Sequence, residues 1–600
     1  MSFVFTYARE CGIINKETEV KVLSHNVIIC MLNSRYVHSG LAPWCLMAGI
    51  KEYGSKKISA RVLESNINAD MAQVLSEIVR EKPMLVGFCC YIWNIDKIAP
   101  LCVEIKKALP CCKIILGGPE VSYNAKETLL ENPSADFVLG GEGERPFALL
   151  CDALLVNCKE EKLKDIPGIN FKAADGFYLS KPFTEKNTPQ SPYSNEYLKN
   201  ISGRIAYIES SRGCPFSCAY CLSGRCGDVR FFDMEKTKAD IISVANSGAK
   251  TVKFVDRTFN ANRKRALEIW RFIASHYDKE IPKGVCFHFE IGGDLLCSEC
   301  LDVLSQMPPG AVQLEIGIQS FNEKTLCAVK RKTDTARLYE NIAKLVSFGN
   351  MHIHIDLIAG LPHENFKSFR ESFNKAFSLS ANMLQVGFLK LLHGADMREK
   401  PEMYPVEYRK NAPYEVVSTP YLTQEDIKKL KMLEKANERI CNSGRFRRSF
   451  SYILEVSGKT PFDVLLNFGE YCDGKEKAIS LFDLAKLYFD YFSAFPEVDS
   501  EKLSDKLICD FFARSRYGKL PTFLKRTDPR IKKLLDFLSK NPENAPKPGA
   551  VRAAAILKSE NCAVFCDSAA DKAKDNDFKN PVSGEYTLSF ISLDKVELDL

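Results

Sequence analysis

Three cysteines lie on one short segment, Ser211–Arg212–Gly213–Cys214–Pro215–Phe216–Ser217–Cys218–Ala219–Tyr220–Cys221, which follows an apolar strand pattern and precedes a helix. Thiolates separated by three and then two residues can surround one small iron–sulfur cubane. A closed electron-transfer cluster normally takes four cysteines, so three leave one iron without a protein ligand. An open coordination position is what substrate chemistry at a metal requires. The spacing predicts a cluster held by Cys214, Cys218 and Cys221.

A zinc site is the main alternative for these cysteines. Zinc needs a fourth ligand, for which Cys226 is a candidate. Closed zinc sites, however, more often pair their cysteines as two separated C-x-x-C units. The flanking Gly213 and Pro215, together with the position at a strand end, favour the iron–sulfur interpretation.

The segment opens a series of alternating strand and helix patterns. Six apolar stretches predict strands at Ile205–Glu209, Thr251–Val255, Val285–Ile291, Val312–Ile318, His352–Ile358 and Met383–Leu391. Six such units indicate a partial (β/α)6 barrel over residues 201–400, with its site at the carboxyl ends of the strands.

An earlier α/β region shows the same alternation over residues 25–165. Apolar strands are predicted at Val27–Leu32, Ile58–Leu63, Met84–Cys90, Lys113–Leu116 and Asp136–Leu139. The last two end in the glycine-rich turns Gly117–Gly118–Pro119 and Gly140–Gly141–Glu142–Gly143–Glu144. This pattern predicts a parallel doubly wound sheet that binds a ligand at its carboxyl edge.

The cysteine segment, C-x-x-x-C-x-aromatic-C with Tyr220 as the aromatic residue, resembles the signature of the radical S-adenosylmethionine (SAM) superfamily. Later strand exits resemble that superfamily in order: residues 255–260, His288–Ile291, Glu315–Ser320, Asp356–Pro362 and Leu391–Gly394. The resemblance implies a [4Fe–4S] cluster whose open iron is chelated by SAM. It also implies SAM contacts from residues at these positions: Tyr220, Glu290, Glu315, Gln319, Ser320 and Gly360.

A doubly wound domain ahead of such a barrel resembles the cobalamin-binding domain of cobalamin-dependent radical SAM proteins. The matching cofactor positions are His38, Gly117, Gly118, Glu142, Gly143 and Glu144. The D-x-H-x-x-G motif that supplies a cobalt ligand is missing, because Tyr36 stands in place of Asp and Leu41 in place of Gly. We therefore expect His38 to be a structural or pocket residue, with cobalamin bound without it. A scaffold domain that has lost the cofactor is the alternative.

The remaining chain divides into an unassigned extension (residues 1–24), a linker (166–200) with a hairpin signal at Asp175–Gly176, and a C-terminal domain (401–600). Four amphipathic helices are predicted in that domain at Gln424–Cys441, Pro461–Tyr471, Leu481–Phe492 and Arg530–Leu538, with a strand at Tyr586–Ser592. Its Asn442–Phe446 segment resembles a bacterial domain of uncharacterised function. Cys297 and Cys300 form a C-x-x-C motif, interpreted as buried core thiols, with a metal site or redox pair as alternatives.

Composition excludes several classes of protein. With 82 basic and 76 acidic residues among 600, the net charge is +6, and no basic tract indicates a nucleic-acid groove. No apolar run approaches ~18 residues, and the N-terminus lacks a signal peptide, so we expect a cytoplasmic protein without a membrane segment. The 23 cysteines are scattered and odd in number, which is not typical of a secreted disulfide framework.

The resemblance implies a radical SAM enzyme, and the leading hypothesis is a cobalamin-dependent methyltransferase that acts on an unactivated carbon. In that scheme an adenosyl radical abstracts hydrogen from the substrate and methylcobalamin supplies the methyl group. It also implies an electron donor such as flavodoxin or ferredoxin. The alternatives are a radical rearrangement, cyclisation or sulfur insertion without methyl transfer, and a non-catalytic cobalamin or redox sensor. The substrate is not indicated by any motif.

Overall fold

The computed structural model of the protein describes residues 26–225, 228–475, 479–514, 519–526, 528–540, 554–566 and 588–593. These residues form two compact units. The first unit contains residues 26–35 and 42–192, and the second contains 36–41 and the chain from 193 onward. The predicted extension, residues 1–24, lies outside the described residues, as does Cys226.

The first unit contains a seven-stranded sheet in the order β2-β1-β3-β4-β5-β6-β7. The first five strands pair in parallel. The strands are β1 Val27–Asn33, β2 Ala60–Asn66, β3 Leu85–Cys89, β4 Lys113–Gly117, β5 Phe137–Leu139, β6 Ile169–Ala173 and β7 Gly176–Tyr178. The reversal of strand order at β1 and β3 confirms the predicted doubly wound α/β sheet.

The continuous apolar runs of this sheet are explained by burial on both faces. Every residue of β1 is buried. Its side chains alternate between two separate hydrophobic clusters, with Ile28, Cys30 and Leu32 on one face and Val27, Ile29 and Met31 on the other. Helices cover the two faces. They span Ala42–Tyr53, Met71–Glu81, Ile95–Ala108, Ala125–Glu131, Glu144–Leu155 and Glu160–Leu163.

The interpretation of residues 166–200 as a linker is wrong for its first part. Strand β6 pairs antiparallel with β5, and β7 pairs antiparallel with β6, so both belong to the first sheet. The hairpin predicted at Asp175–Gly176 is confirmed, because the turn between β6 and β7 lies there. Two strands this short leave little apolar alternation to separate them from a loop.

The second unit contains a six-stranded parallel sheet in the order β8-β11-β12-β13-β14-β15. Consecutive strands in the chain are neighbours in the sheet, which confirms the partial barrel. A short pair, β9 Ser211–Arg212 and β10 Arg230–Phe231, stands apart from it. The barrel strands are β8 Ile205–Ile208, β11 Thr251–Phe254, β12 Cys286–Ile291, β13 Val312–Gln319, β14 His352–Ala359 and β15 Met383–Phe388.

Helices connect the barrel strands. They span Asn195–Asn200, Met234–Ala245, Arg263–His276, Ser298–Ser305, Glu323–Ala328, Thr335–Phe348, Phe366–Ser378 and Asp396–Glu399. Several begin at side-chain caps that the sequence supplies: Asp233, Asn262 and Asp334 each accept a hydrogen bond from a backbone N–H of the first turn.

The C-terminal part of the second unit is mainly helical, as predicted. Its helices span Gln424–Asn437, Arg447–Ser457, Pro461–Cys472, Leu481–Phe492, Ser500–Phe512 and Pro529–Lys540. A short pair, β16 Glu407–Tyr408 and β17 Val416–Ser418, precedes them. A three-stranded antiparallel sheet follows, with β18 Ala554–Leu557, β19 Cys562–Cys566 and β20 Leu588–Ser592. Of these three strands the sequence predicted only β20.

Asn442, in the motif segment Asn442–Phe446, attaches this helical part to the barrel. Its side-chain oxygen accepts from Leu384 N–H at 3.0 Å, and its side-chain nitrogen donates to the Leu384 carbonyl at 3.0 Å. Because Leu384 lies on the edge strand β15, the amide group occupies backbone groups that a further strand would otherwise pair with. Within the described ranges, no helix combines the length and the apolarity needed to cross a membrane.

Candidate functional site

The three predicted cluster ligands lie together on the loop that follows β8 and β9. We call residues 213–221 the cysteine loop. Cys218 is buried, and Cys214 and Cys221 are partly buried. Every cysteine whose side chain the structure describes is a free thiol. In the same part of the chain, no three His, Cys, Asp or Glu side chains are arranged around one point as a metal site. The three thiols therefore lie on one loop at a strand end, but in this structure they do not converge on a single point.

The start of the cysteine loop is held by the exit of β11. The buried Asp256 carboxylate accepts from Ser210 N–H at 3.0 Å, from the Ser210 hydroxyl at 2.8 Å and from the Ser211 hydroxyl at 2.5 Å. Burial raises the pKa of Asp256 to about 6, although the three hydrogen bonds act in the opposite direction. Gly213 has φ +103°, and a Cβ there would lie 2.7 Å from the Asp228 carbonyl oxygen. Glycine is therefore required at the first residue of the loop.

A partly buried arginine lies beside the central cysteine. Arg331 Nη1 is 4.0 Å from Cys218 Sγ and 3.4 Å from the Tyr220 hydroxyl, and its Nη2 donates to the Gly317 carbonyl. Burial raises the pKa of the Cys218 thiol, and the charge of Arg331 opposes that rise. At the other end of the loop, Cys214 Sγ is 3.5 Å from Thr258 Oγ1. A cationic group next to a thiol suits a ligand set that becomes anionic when it binds iron.

A cleft of about 150 Å³ borders the cysteine loop at the carboxyl ends of the barrel strands. Its lining comes from that loop, from four strands and the turns after them, and from residues 331–333. The lining residues are Phe216, Arg257, Thr258, Glu290, Ile291, Gly292, Asp294, Glu315, Gly317, Gln319, Arg331, Lys332, Thr333 and Asp356. Three of the residues predicted to contact SAM, namely Glu290, Glu315 and Gln319, are thus brought together.

Gln319 combines an unusual backbone conformation with an unpaired side-chain oxygen. Its backbone has φ +69°, at a register shift between β13 and β14. Its buried side-chain oxygen has no hydrogen-bond partner. Gly317 makes room for the amide, because a Cβ there would lie 2.1 Å from Gln319 Nε2. A buried, unpaired amide oxygen in a polar cleft fits the hydroxyl groups of a ribose.

Charged side chains connect the floor of the cleft across three neighbouring strands. Lys253 Nζ on β11 lies 3.2 Å from Glu290 on β12 and 3.1 Å from Glu315 on β13. His288 Nε2 lies 2.9 Å from the same Glu315 carboxylate. Burial would raise the pKa of Glu315, but the His288 contact and the charge of Lys253 outweigh it and hold the pKa well below its usual range. Burial lowers the pKa of His288, so its ring is neutral at pH 7.

A second ion pair continues this floor on β14. His354 Nε2 is 3.1 Å from Asp356 Oδ1. Burial would lower the pKa of His354, but contact with Asp356 outweighs it and raises the pKa. The site residues predicted from the sequence did not include Lys253, His288, His354 or Asp356. A signal existed, since each is a polar residue between apolar ones in a strand, which is the pattern of side chains that face a barrel interior.

The other predicted SAM contacts lie elsewhere. The fully buried Ser320 hydroxyl donates to Glu364 Oε1 at 2.8 Å and accepts from Asn322 N–H at 2.9 Å. Gly360 packs against Val416, to whose Cγ1 an added Cβ would come within 3.0 Å. Neither residue lines the cleft. Tyr220 contacts Arg331 rather than the cleft surface. Arg331 itself was missed, because nothing in its local sequence connects it to the cysteine loop.

The predicted cobalamin positions of the first unit lie at the carboxyl edge of its sheet. A Cβ on Gly118, with φ +117°, would lie 2.5 Å from the Cys90 carbonyl, and one on Gly143 would lie 2.8 Å from Leu46. These glycines thus permit close packing within the protein. Gly117 ends β4, Glu142 is partly buried, and Glu144 begins a helix and is buried.

Two features at this edge fit a bound cofactor. The Asn33 side-chain nitrogen, at the end of β1, is buried without a hydrogen-bond partner. Tyr91 and Trp93, after β3, stack with ring centroids 4.4 Å apart, and Trp93 is exposed. His38 belongs to the second unit, where its Nδ1 is 2.7 Å from the Tyr207 hydroxyl. The structure therefore places His38 against β8.

Comparison with known protein families accounts for most of the chain. Residues 208–376 match the model of the radical SAM superfamily. The second unit therefore contains a radical SAM domain. Residues 29–150 match the model of the B12 binding domain, and residues 402–577 match that of a protein of unknown function, DUF4080. The three matches follow one another in the order of the predicted domains.

Two curated relatives of this chain are methyltransferases. One is the 2-(S-pantetheinyl)-carbapenam-3-carboxylate methyltransferase of Streptantibioticus cattleyicolor, 24% identical over 48% of this chain and 44% of that protein. The other is the cobalamin-dependent radical SAM methyltransferase TokK of Streptomyces tokunonensis, 23% identical over 62% of this chain and 56% of that protein. The chain thus spans about half the length of these relatives.

A solved structure confirms the architecture. The cobalamin-dependent S-adenosylmethionine radical enzyme OxsB, with aqua-cobalamin and S-adenosylmethionine bound, matches with a TM-score of 0.56 over 80% of this chain and 78% of that one. The two sequences are 13% identical, so the match concerns the fold.

Proposed function

We propose that this chain is a cobalamin-dependent radical SAM enzyme that transfers a methyl group to an unactivated carbon. The observation that carries the proposal is the cysteine loop beside a polar cleft at the strand ends of the barrel. The preceding B12 binding domain supports the cobalamin part, and the methyltransferase relatives support the reaction.

Cys214, Cys218 and Cys221 would hold a [4Fe–4S] cluster. A cluster held there would supply the electron for reductive cleavage of SAM, and cobalamin bound to the chain would carry the methyl group. The partly buried Arg331 would offset negative charge at Cys218, because its Nη1 already lies 4.0 Å from that sulfur. Phe216, on the same loop, lines the cleft and would exclude water from it.

Glu290 and Gln319 would bind the SAM ribose, since both line the cleft and the Gln319 oxygen lacks a partner. Glu315 would instead fix Lys253 beneath the ligand, because it is already engaged with Lys253 and His288. Ser320 and Gly360 would shape the strand exits without touching SAM. Tyr220 would orient Arg331 through its hydroxyl.

Cobalamin would lie at the carboxyl edge of the first sheet. Asn33 offers an unpaired donor there, and the Tyr91–Trp93 stack offers a flat apolar surface. The turns at Gly117–Gly118 and Glu142–Glu144 would complete this edge. His38 would be a structural residue rather than a cobalt ligand, because its ring is engaged with Tyr207.

The proposal is tested on full-length protein purified without oxygen and reconstituted with iron, sulfide and hydroxocobalamin. We expect the iron of one [4Fe–4S] cluster, bound cobalt, and formation of 5′-deoxyadenosine when SAM and reduced flavodoxin are added. Cys218→Ala should abolish 5′-deoxyadenosine formation and the cluster absorbance. Cys112→Ala, which removes a buried thiol of the first unit, is the matched control and should retain both.

The products separate the reactions that this fold could perform. S-adenosylhomocysteine together with 5′-deoxyadenosine supports methyl transfer. 5′-Deoxyadenosine alone would favour a radical rearrangement, cyclisation or sulfur insertion. A cluster that does not cleave SAM would favour a sensor, and zinc in place of iron would contradict the assignment of the cysteine loop. Activity with ferredoxin or flavodoxin, but not without them, would support a protein electron donor.

A further inference from the structure

Cys297 and Cys300 form a thiol pair that the proposed function does not use. Cys297 immediately precedes the helix Ser298–Ser305, and Cys300 lies in its first turn. Their sulfur atoms are 3.4 Å apart. Cys300 is buried, whereas Cys297 is only partly buried. The sequence favoured two buried core thiols here, and the structure instead gives one accessible and one buried sulfur in mutual contact.

The two thiols have opposite electrostatic environments. Burial would raise the pKa of Cys297, but the backbone N–H groups of Cys300 and Glu299, the Cys300 thiol and the charge of Arg263 outweigh it and lower the pKa. Burial raises the pKa of Cys300 to about 11. An accessible thiol that ionises readily, paired with a buried thiol that does not, is the arrangement in which the first attacks and the second resolves.

An open hollow gives access to Cys297. It has a volume of about 450 Å³ and lies beside the helix that carries the pair. Its lining combines Cys297 with both acidic and basic side chains: Asp334, Arg337, Glu340 and Lys344. A surface with both charges suits a peptide-like disulfide, whose own amino and carboxylate groups are mixed in the same way.

We propose that Cys297 and Cys300 form a reversible dithiol–disulfide site that exchanges electrons with a disulfide-bearing oxidant. The Cys297 thiolate attacks one sulfur of the oxidant, whose S–S bond breaks and releases a first thiolate. Cys300 loses its proton to solvent and attacks the Cys297 sulfur, which forms the Cys297–Cys300 bond and expels a second thiolate. The two released thiolates take up the two protons that the cysteines lost. Two electrons thus pass from the cysteine pair to the oxidant.

The test uses the full-length reconstituted protein in buffers with graded ratios of glutathione to glutathione disulfide. After acid quenching and alkylation, the tryptic peptide 284–324 reports Cys286, Cys297 and Cys300 together. We expect one transition, in which two of the three alkylation sites are lost and the peptide becomes lighter by two hydrogens. A second series with an oxidised thioredoxin-type protein distinguishes a protein oxidant from a small one.

Variants locate the bond. Cys286→Ser should leave the transition unchanged, as should Cys327→Ser, which removes an exposed thiol elsewhere. Cys300→Ser should replace the internal disulfide with glutathione bound at Cys297. In the reduced protein, Cys297 should be alkylated roughly tenfold faster than Cys300 at pH 7. The proposal is overturned if no disulfide forms at any ratio, if the bond involves Cys286, or if the purified pair retains zinc.

Discussion

The first sheet and the partial barrel arise from the same alternation of strands and helices, but they use their strand faces differently. In β1 every side chain is buried, and odd and even positions enter two separate apolar clusters. In β13 the alternation is strict: Leu314, Ile316 and Ile318 are buried, and the intervening residues are partly exposed. A sheet covered by helices on both faces can place chemistry only at its edge, whereas a barrel also has an interior face for it.

The largest expected effect is the difference in stability between a carboxylate introduced in β1 and one introduced in β13. Ile29→Asp would place an unpaired carboxylate at a fully buried position of β1, which should cost about 5 kcal/mol and prevent folding of the first unit. Gln313→Asp, on the interior face of β13, should cost only about 1 kcal/mol, because that side chain is already polar and only partly buried. Soluble yield and chemical denaturation measure both. Equal losses would refute the contrast.

The second effect concerns the charged floor of the barrel. Lys253→Met removes the cation that lies between Glu290 and Glu315, and should destabilise the second unit by about 3 kcal/mol, because two partly buried carboxylates are left without it. Adding Glu315→Gln should recover part of that loss. Denaturation of the two single variants and the double variant gives the coupling between them. Additive losses would show that the ion pair contributes nothing specific.

The sequence predicted the features that depend on neighbouring residues and missed those that depend on residues far apart in the chain. The five parallel strands of the first sheet and the six strands of the barrel were predicted, because short apolar runs are a local property. The pairing of Arg331 with Cys218 was not, because the two residues are separated by 113 positions and only the closed strand order brings them together. Ser320 was predicted to contact SAM from the resemblance of the Glu315–Ser320 segment to the radical SAM superfamily. In the structure Gln319 has a positive φ, and the Ser320 hydroxyl after it donates to Glu364 instead.

The C-terminal part shows the same limit. Helices such as Leu481–Phe492 were predicted from their 3.6-residue periodicity. Strands β18 and β19 were missed, because their segments are short and lie between residues without strong alternation. The two hydrogen bonds between Asn442 and Leu384 were also not predicted, since a single side-chain amide that pairs with a strand produces no periodic pattern in the sequence.

The third effect is a pH dependence at the start of the cysteine loop. The Asp256 pKa is about 6 in the folded protein, compared with 3.8 for an unperturbed aspartate, so the folded state retains a proton that the unfolded state loses between these values. The contribution of Asp256 is therefore complete below pH 4, and it falls by about 2–3 kcal/mol as the pH rises to 6. Denaturation of the wild type and Asp256→Asn at pH 4, 5 and 6 should show their difference shrinking in that direction. A difference that stays constant would contradict the burial effect.

The smallest effect concerns the contact between Tyr207 and His38. Tyr207→Phe removes the hydroxyl that lies 2.7 Å from His38 Nδ1 and should destabilise the second unit by about 1 kcal/mol. Cobalamin content should not change, because His38 is proposed to support β8 rather than to bind cobalt. His38→Gln is the companion variant, and it should likewise retain cobalt after anaerobic reconstitution. Loss of cobalt in His38→Gln, with iron retained, would contradict this structural role and would assign His38 to the cofactor.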